Sequence, residues 1–140
     1  MTDYINNESV LTFVLRVILG ILFFFQGYDK IFKIKLNEVV NTFQAELGSI
    51  AVPKAILVPI AYFTSFVELI AGALLIVGMF KTYALYLLGI DLILVAGAFS
   101  LIKPMWDMQL LFPRLILLSI LLYLPNSWDV LSLDFFLHNK

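Results

Sequence analysis

Long apolar runs, rather than an alternation of apolar and polar positions, organise this chain. Four stand out, at roughly residues 10–28, 56–80, 83–102 and 110–124. A helix rises about 1.5 Å per residue, so about 20 residues cross a hydrocarbon core ~30 Å thick. The first three runs reach that length, whereas the fourth is short unless the flanking "KPMWDMQ" or "PNSW" is partly immersed. Transmembrane strands alternate with period two; "LLIVGMF" and "LILVAGAF" do not, so the runs are predicted to be helices. Between the first two, Leu36, Val39, Val40, Phe43 and Leu47 share one helical face, with Asn37, Glu38, Asn41, Gln44 and Glu46 opposite. That spacing predicts an amphipathic helix over about 36–48, stopped by Gly48, with Pro53 opening the next helix. Its simplest reading is a surface helix with no function of its own. The short "MFKTY" between runs two and three makes them antiparallel neighbours. The expected fold is an all-α integral membrane four-helix bundle, residues 1–140 as one domain, with a short amphipathic interfacial helix between spans one and two.

Composition strengthens this picture. The chain is 62% hydrophobic and only 14% charged, with a mean hydropathy of +1.01; a soluble domain averages roughly 45–50% apolar and about 25% charged residues. The net charge of −1 and the lack of any basic cluster argue against nucleic-acid binding. Without cysteine, disulfides, thiolate metal sites and thiol exchange within this chain are excluded, and no metal site is expected. The single histidine, His138, lies outside every apolar run, which makes haem ligation by this chain a poor fit. The opening "MTDYINNES" has Asp3 and Glu8 but no Lys or Arg, and no small-residue cleavage motif follows "LGILFFF". The first run therefore reads as a retained span. Tyr4, Tyr28, Tyr83, Trp106, Tyr123 and Trp128 sit near the run ends, as an aromatic belt would. Lys30, Lys33, Lys35, Lys54 and Lys103 fall on one side, against Lys81 and Lys140 on the other, which leans toward termini outside.

Charges inside the runs carry the functional question. Arg16, Glu68 and Asp91 lie about 9, 18 and 12 Å from the terminal side, so the three are expected to share a layer. An ionised side chain at the centre of a helix costs roughly 2.5–3.5 kcal/mol on insertion scales, so each is expected to face the bundle interior. Arg16, Gly20, Phe23, Gly27 and Lys30 form one stripe, and Ala61, Thr64, Ser65, Glu68, Ala71 and Gly72 another. Small residues at this spacing let helix backbones approach, so the polar faces are also the packing faces. Arg16 is expected to pair with Glu68, Asp91 or both. The excess negative charge is then met by Arg114 or Lys30, or one carboxyl keeps its proton. Arg114 enters from the other face and has the reach to snorkel outward. Arg16, Glu68, Asp91 and Arg114 are thus the candidates for a ligand or proton site, with Gln26, Lys30 and Ser65 secondary. Gln26, Tyr28, Asp29 and Asp107 otherwise read as interface residues. The competing reading makes the charges internal bracing that sets helix register.

Three stretches resemble the DoxX family of small membrane proteins. They are "LRVILGILFFFQGYDKIFK" with Arg16, Gly20, Gly27 and Lys30, "FVELIAGALLIVGMFKTYA" with Glu68, Gly72 and Gly78, and the closing "SLDFFL". One departure is Gln26, where that family often has a histidine, so a role for that histidine does not transfer. The resemblance implies a four-helix protein of the bacterial inner membrane. It would be a membrane subunit or anchor of a quinone-linked redox complex, not catalytic alone, with quinone as ligand, an oxidoreductase subunit as partner and room for a homo-oligomer. The alternative is a non-enzymatic membrane scaffold or assembly factor. Four spans without mid-membrane breaks make a small solute or proton carrier the weakest reading.

Overall fold

In the computed structural model, residues 5–47, 52–102 and 108–138 are described. Helix α1 covers Asn7–Tyr28 and continues as a π-helical segment, Asp29–Ile34. Helix α2 follows at Leu36–Glu46, α3 at Lys54–Val77, α4 at Lys81–Ile102 and α5 at Met108–Tyr123. A 3-10 turn at Asn126–Trp128 and the short α6, Leu133–His138, complete the order. Among the described residues, three helical stretches are long and apolar enough to cross a membrane, Asn7–Ile34, Lys54–Val77 and Lys81–Ala98, and a shorter apolar helix covers Leu111–Tyr123. The expected helical membrane bundle is what the chain forms. The Gly48 stop, Tyr4, Trp106, Asp107, Lys103 and Lys140 lie outside the described residues.

Each boundary has a local cause. The Asn6 side chain accepts from the Ser9 backbone N–H at 2.9 Å and so satisfies a donor the first turn of α1 leaves open. Asn6→Ala is expected to cost about 1 kcal/mol of stability, read as a lower thermal midpoint in detergent. Helix α3 ends at Gly78, whose φ of +79° is left-handed, with Gly78 and Met79 N–H both returning to the Leu74 carbonyl. That turn is tight enough for α4 to begin at Lys81.

The helices close a ring in which α1 packs on α3, α3 on α4, α4 on α5 and α5 on α1. The α1–α3 contact is the most extensive and is made by glycines. A methyl group on Gly72 would stand 2.5 Å from the Phe24 nitrogen, and one on Gly20 2.9 Å from the Gly72 carbonyl oxygen. One on Gly27 would strike the backbone of Leu69 and Ser65. As α1 numbers rise, the α3 numbers opposite them fall, so the pair is antiparallel. Leu19, Phe23, Leu75, Leu85, Leu88 and Leu121 fill the interior. The outside stays apolar: Phe25, Ile70 and Ile93 are 56, 54 and 73% exposed. Such a surface belongs in lipid, where apolar atoms lose nothing by facing outward.

Helix α2 buries Val39 and Val40, and Leu47 just beyond it, against Leu57 and Ala61 of α3, and exposes Asn37, Glu38, Asn41, Gln44 and Glu46. Its amphipathic pattern is therefore satisfied by protein rather than by an interface alone. At the other end of the bundle the C-terminal segment wraps the α3–α4 turn. Asp134 N–H donates to the Gly78 carbonyl at 3.1 Å, and Phe80 N–H donates to the Asp134 carboxylate at 2.7 Å.

Candidate functional site

The intramembrane charges divide into two clusters, not one layer. Arg16 is fully buried at the terminal end of α1. Its guanidinium donates to the Leu75 carbonyl, to the Ile76 carbonyl at 3.2 Å, to the Leu131 carbonyl at 2.8 Å and to Asp129 Oδ1 at 3.2 Å. It also lies 5.6 Å from the Phe13 ring centroid. Leu75 and Ile76 are in the last turn of α3, whose carbonyls have no partner within the helix. In hydrocarbon such groups must find an internal donor, and Arg16 supplies it. The same side chain ties the C-terminal segment to the bundle. Lys81 is also drawn into this cluster; it is 5% exposed and lies 3.7 Å from Asp129 Oδ2.

The expected pairing of Arg16 with Glu68 or Asp91 is therefore corrected. From Glu68 to Leu75 is seven residues along α3, or about 10 Å, and Arg16 reaches only the latter. Its donors are occupied by a helix end, a loop carbonyl and an aspartate outside the apolar runs. This is bracing chemistry and leaves little for a ligand.

Glu68 and Asp91, both fully buried, belong to the second cluster. Gly27 lets the α1 backbone close onto α3, which places Gln26 and Lys30, four residues apart on one face, against the same carboxylate. Gln26 Nε2 donates to Glu68 Oε1 at 2.8 Å and Lys30 Nζ donates to that same oxygen at 2.7 Å. Lys30 sits in the π-helical segment, a local widening of the helix that re-aims side chains and recurs at functional sites. Among the described residues, neither the other oxygen, Glu68 Oε2, nor either Asp91 oxygen has a hydrogen-bond partner. Arg114, half-buried on α5, lies 5.4 Å from the Phe23 ring centroid instead of snorkelling away.

These groups line one cavity of about 480 Å³. Its polar wall is Gln26, Lys30, Glu46, Thr64, Glu68, Asp91 and Arg114; the rest is aliphatic and aromatic, including Phe23, Leu57, Ile60 and Leu92. The volume falls in the roughly 300–1,000 Å³ range of small-molecule sites, and a few convergent polar groups in an apolar lining are typical of them. Every helix from α1 to α5 contributes.

Of the residues singled out by sequence, Glu68, Asp91, Arg114, Gln26 and Lys30 meet at this cavity. Arg16 does not, and Ser65 turns back to donate to the Ala61 carbonyl of its own helix at 2.7 Å. Asp29 pairs with Lys33 at 2.7 Å in an exposed i, i+4 contact. Thr64 is a wall residue the sequence offered no reason to prefer over Ser65. Helix α2 was the larger omission. Phe43, Glu46 and Leu47 line the cavity, so the amphipathic helix is a wall of the site rather than a bystander.

Comparison with known proteins places this geometry in a family. A family model described as methylamine utilisation protein MauE matches residues 8–105, which run from the first turn of α1 through α4 and include Lys30, Glu68 and Asp91, while Arg114 and Asp129 lie beyond it. No curated protein and no solved structure matches the chain. The resemblance to DoxX, carried by short motifs of common membrane residues, is overturned by this match, since arginines, glycines and glutamates at helical spacing arise wherever polar helix faces pack in lipid. The chain belongs to the MauE family of methylamine utilisation proteins.

Proposed function

We propose that this chain is a membrane accessory subunit of a redox system serving methylamine utilisation, and that its cavity receives the ring of a membrane-soluble quinone. The observation that carries this reading is the cavity itself: a bundle braced elsewhere by Arg16 leaves three buried carboxylate oxygens without a partner among the described residues at one largely apolar chamber. Each buried acceptor left unmatched costs roughly 1–3 kcal/mol, which purely structural charges have no reason to retain. The family description supplies the setting, because drawing on methylamine requires its oxidation, and the electrons released need an acceptor. The chain acts with an oxidoreductase partner rather than as the catalyst, and the bacterial inner membrane, with termini outside, is the proposed location. Lys30, Gln26 and Arg114 would orient the ligand head, and Glu68 and Asp91 would exchange protons with it.

A second reading has its own support. The Arg16 guanidinium is held by three carbonyls and Asp129, the bracing that a scaffold or assembly factor would require. Gentle detergent extraction from the native membrane, followed by mass spectrometry of co-purifying proteins and solvent extraction of quinone, separates the two. Stoichiometric quinone together with an oxidoreductase subunit is the expected result. A chain recovered without either would leave the scaffold.

A further inference from the structure

We infer that the proposed ligand enters this cavity from within the bilayer, through a slot between the first half of α3 and the second half of α4, and that its tail stays seated in that slot. The inference rests on the quinone reading above and concerns how a tailed ring reaches and occupies the site. It follows from which lining residues are also exposed. A residue that both walls a cavity and faces outward stands at the cavity's edge. Among the described residues these are Glu46 of α2, Ile56 of α3, and Ile93, Gly97 and Ala98 of α4. The walls from α1 and α5 are instead buried or half-buried: Phe23, Gln26, Lys30, Leu111 and Arg114. The opening is therefore on the α3–α4 side, and apart from Glu46 its rim is apolar.

The two helices stand apart at that opening. Near the turn that joins them, Leu75 of α3 and Leu85 and Leu88 of α4 are fully buried in one core. Farther from the turn, Leu57, Ile60 and Thr64 line the cavity from α3, and Leu94, Val95 and Ala98 line it from α4. A methyl group on Gly97 would meet nothing within 4 Å among the described residues. At about 1.5 Å per residue, Glu68 lies about 14 Å from the end of α3 and Asp91 about 15 Å from the start of α4, near the middle of a ~30 Å core. Gly97 lies about 24 Å along α4, in the leaflet on the α2 side. Polar groups at mid-membrane and an apolar exit into one leaflet fit an uncharged ring whose tail runs outward. A phospholipid is held the other way round, with its charged head at the membrane surface. Passing a long tail through water would expose apolar surface that the bilayer keeps covered, which favours the lateral route.

The test uses the full chain in lipid nanodiscs, titrated by calorimetry with empty nanodiscs as the partitioning control. The probes are a decyl-substituted benzoquinone and the same ring with a methyl group in place of the tail. Gly97→Phe puts bulk into the slot without touching the polar end of the cavity. It is expected to weaken binding of the decyl ring at least about tenfold and that of the methyl ring by less than about twofold. Ile93→Trp, on the exposed rim, is expected to give the same split, and decides the matter if Gly97→Phe loses the circular dichroism or size-exclusion profile of the parent. Gly89→Phe carries the same bulk on α4 away from the cavity and is expected to leave both rings bound as in the parent. Equal losses for the two rings would place the block at the head, and no loss for either would mean that the tail lies elsewhere. Each of those results overturns the inference while leaving the quinone reading intact. If the parent chain binds neither ring, the quinone reading itself fails.

Discussion

Arg16→Met is expected to lower the stability of the detergent-solubilised bundle by about 3–5 kcal/mol, the range seen when one partner of a buried charge pair is removed. Methionine keeps most of the volume, so the loss falls on the polar contacts. Asp129, itself 4% exposed, would keep only Lys81 at 3.7 Å. The Leu75, Ile76 and Leu131 carbonyls would lose their donor in a region that lipid does not hydrate. Arg16→Lys is expected to recover only a minor share, because a single ammonium does not span four acceptors as the planar fork does. The measurement is reversible unfolding in mixed micelles, followed by far-ultraviolet circular dichroism. A loss below about 1 kcal/mol for Arg16→Met would place Arg16 with surface pairs and undo the capping argument. Gly78 belongs to the same device. A side chain there would meet the Arg16 guanidinium at 2.6–2.8 Å while forcing a left-handed backbone on a residue with a Cβ.

Gly27→Val is the second large effect, and it joins packing to the site. The added atoms would meet Leu69 and Ser65 backbone, which does not rotate aside as a side chain would. Overpacking of this kind costs about 1–3 kcal/mol. Separating α1 from α3 also withdraws Gln26 and Lys30 from Glu68, whose oxygen they hold at 2.8 and 2.7 Å. Stability and affinity for the proposed quinone are therefore expected to fall together. Gly89→Ala is the matched control: among the described residues nothing lies within 4 Å of the added carbon, and alanine is favoured over glycine within a helix by up to about 1 kcal/mol. Equal effects at the two positions would show that helix propensity, not the close approach, governs Gly27.

Much of the fold was legible along the chain because lipid imposes simple demands. A span must be long, apolar and internally hydrogen-bonded, so length and hydropathy predict α1, α3 and α4. The stripe from Arg16 to Lys30 and that from Ala61 to Gly72 were equally readable, and both turn inward or sit half-buried in the structure. Polar and small residues have few other places to go in a bilayer. The amphipathic period of α2 was clear too. What covered its apolar face was not, because a helical moment gives a direction without naming the partner.

Sequence alone therefore determined the class of protein, the helical segments, the buried polar faces and the exclusion of thiol chemistry. It also presented Glu68, Asp91, Arg114, Gln26 and Lys30 as residues needing partners. Tertiary structure decided who those partners are. Depth counted from run ends carries an error of several ångströms, enough to merge two layers that lie about 10 Å apart. The register between α1 and α3 is set by glycine backbones in contact, Gly20 on Gly72 and Gly27 on Leu69. In that antiparallel register Arg16 meets the end of α3, and Glu68 falls opposite Gln26 and Lys30. No pattern along one helix encodes the offset of another. The offset separates the brace from the cavity, to which α2 and α5 add walls of their own.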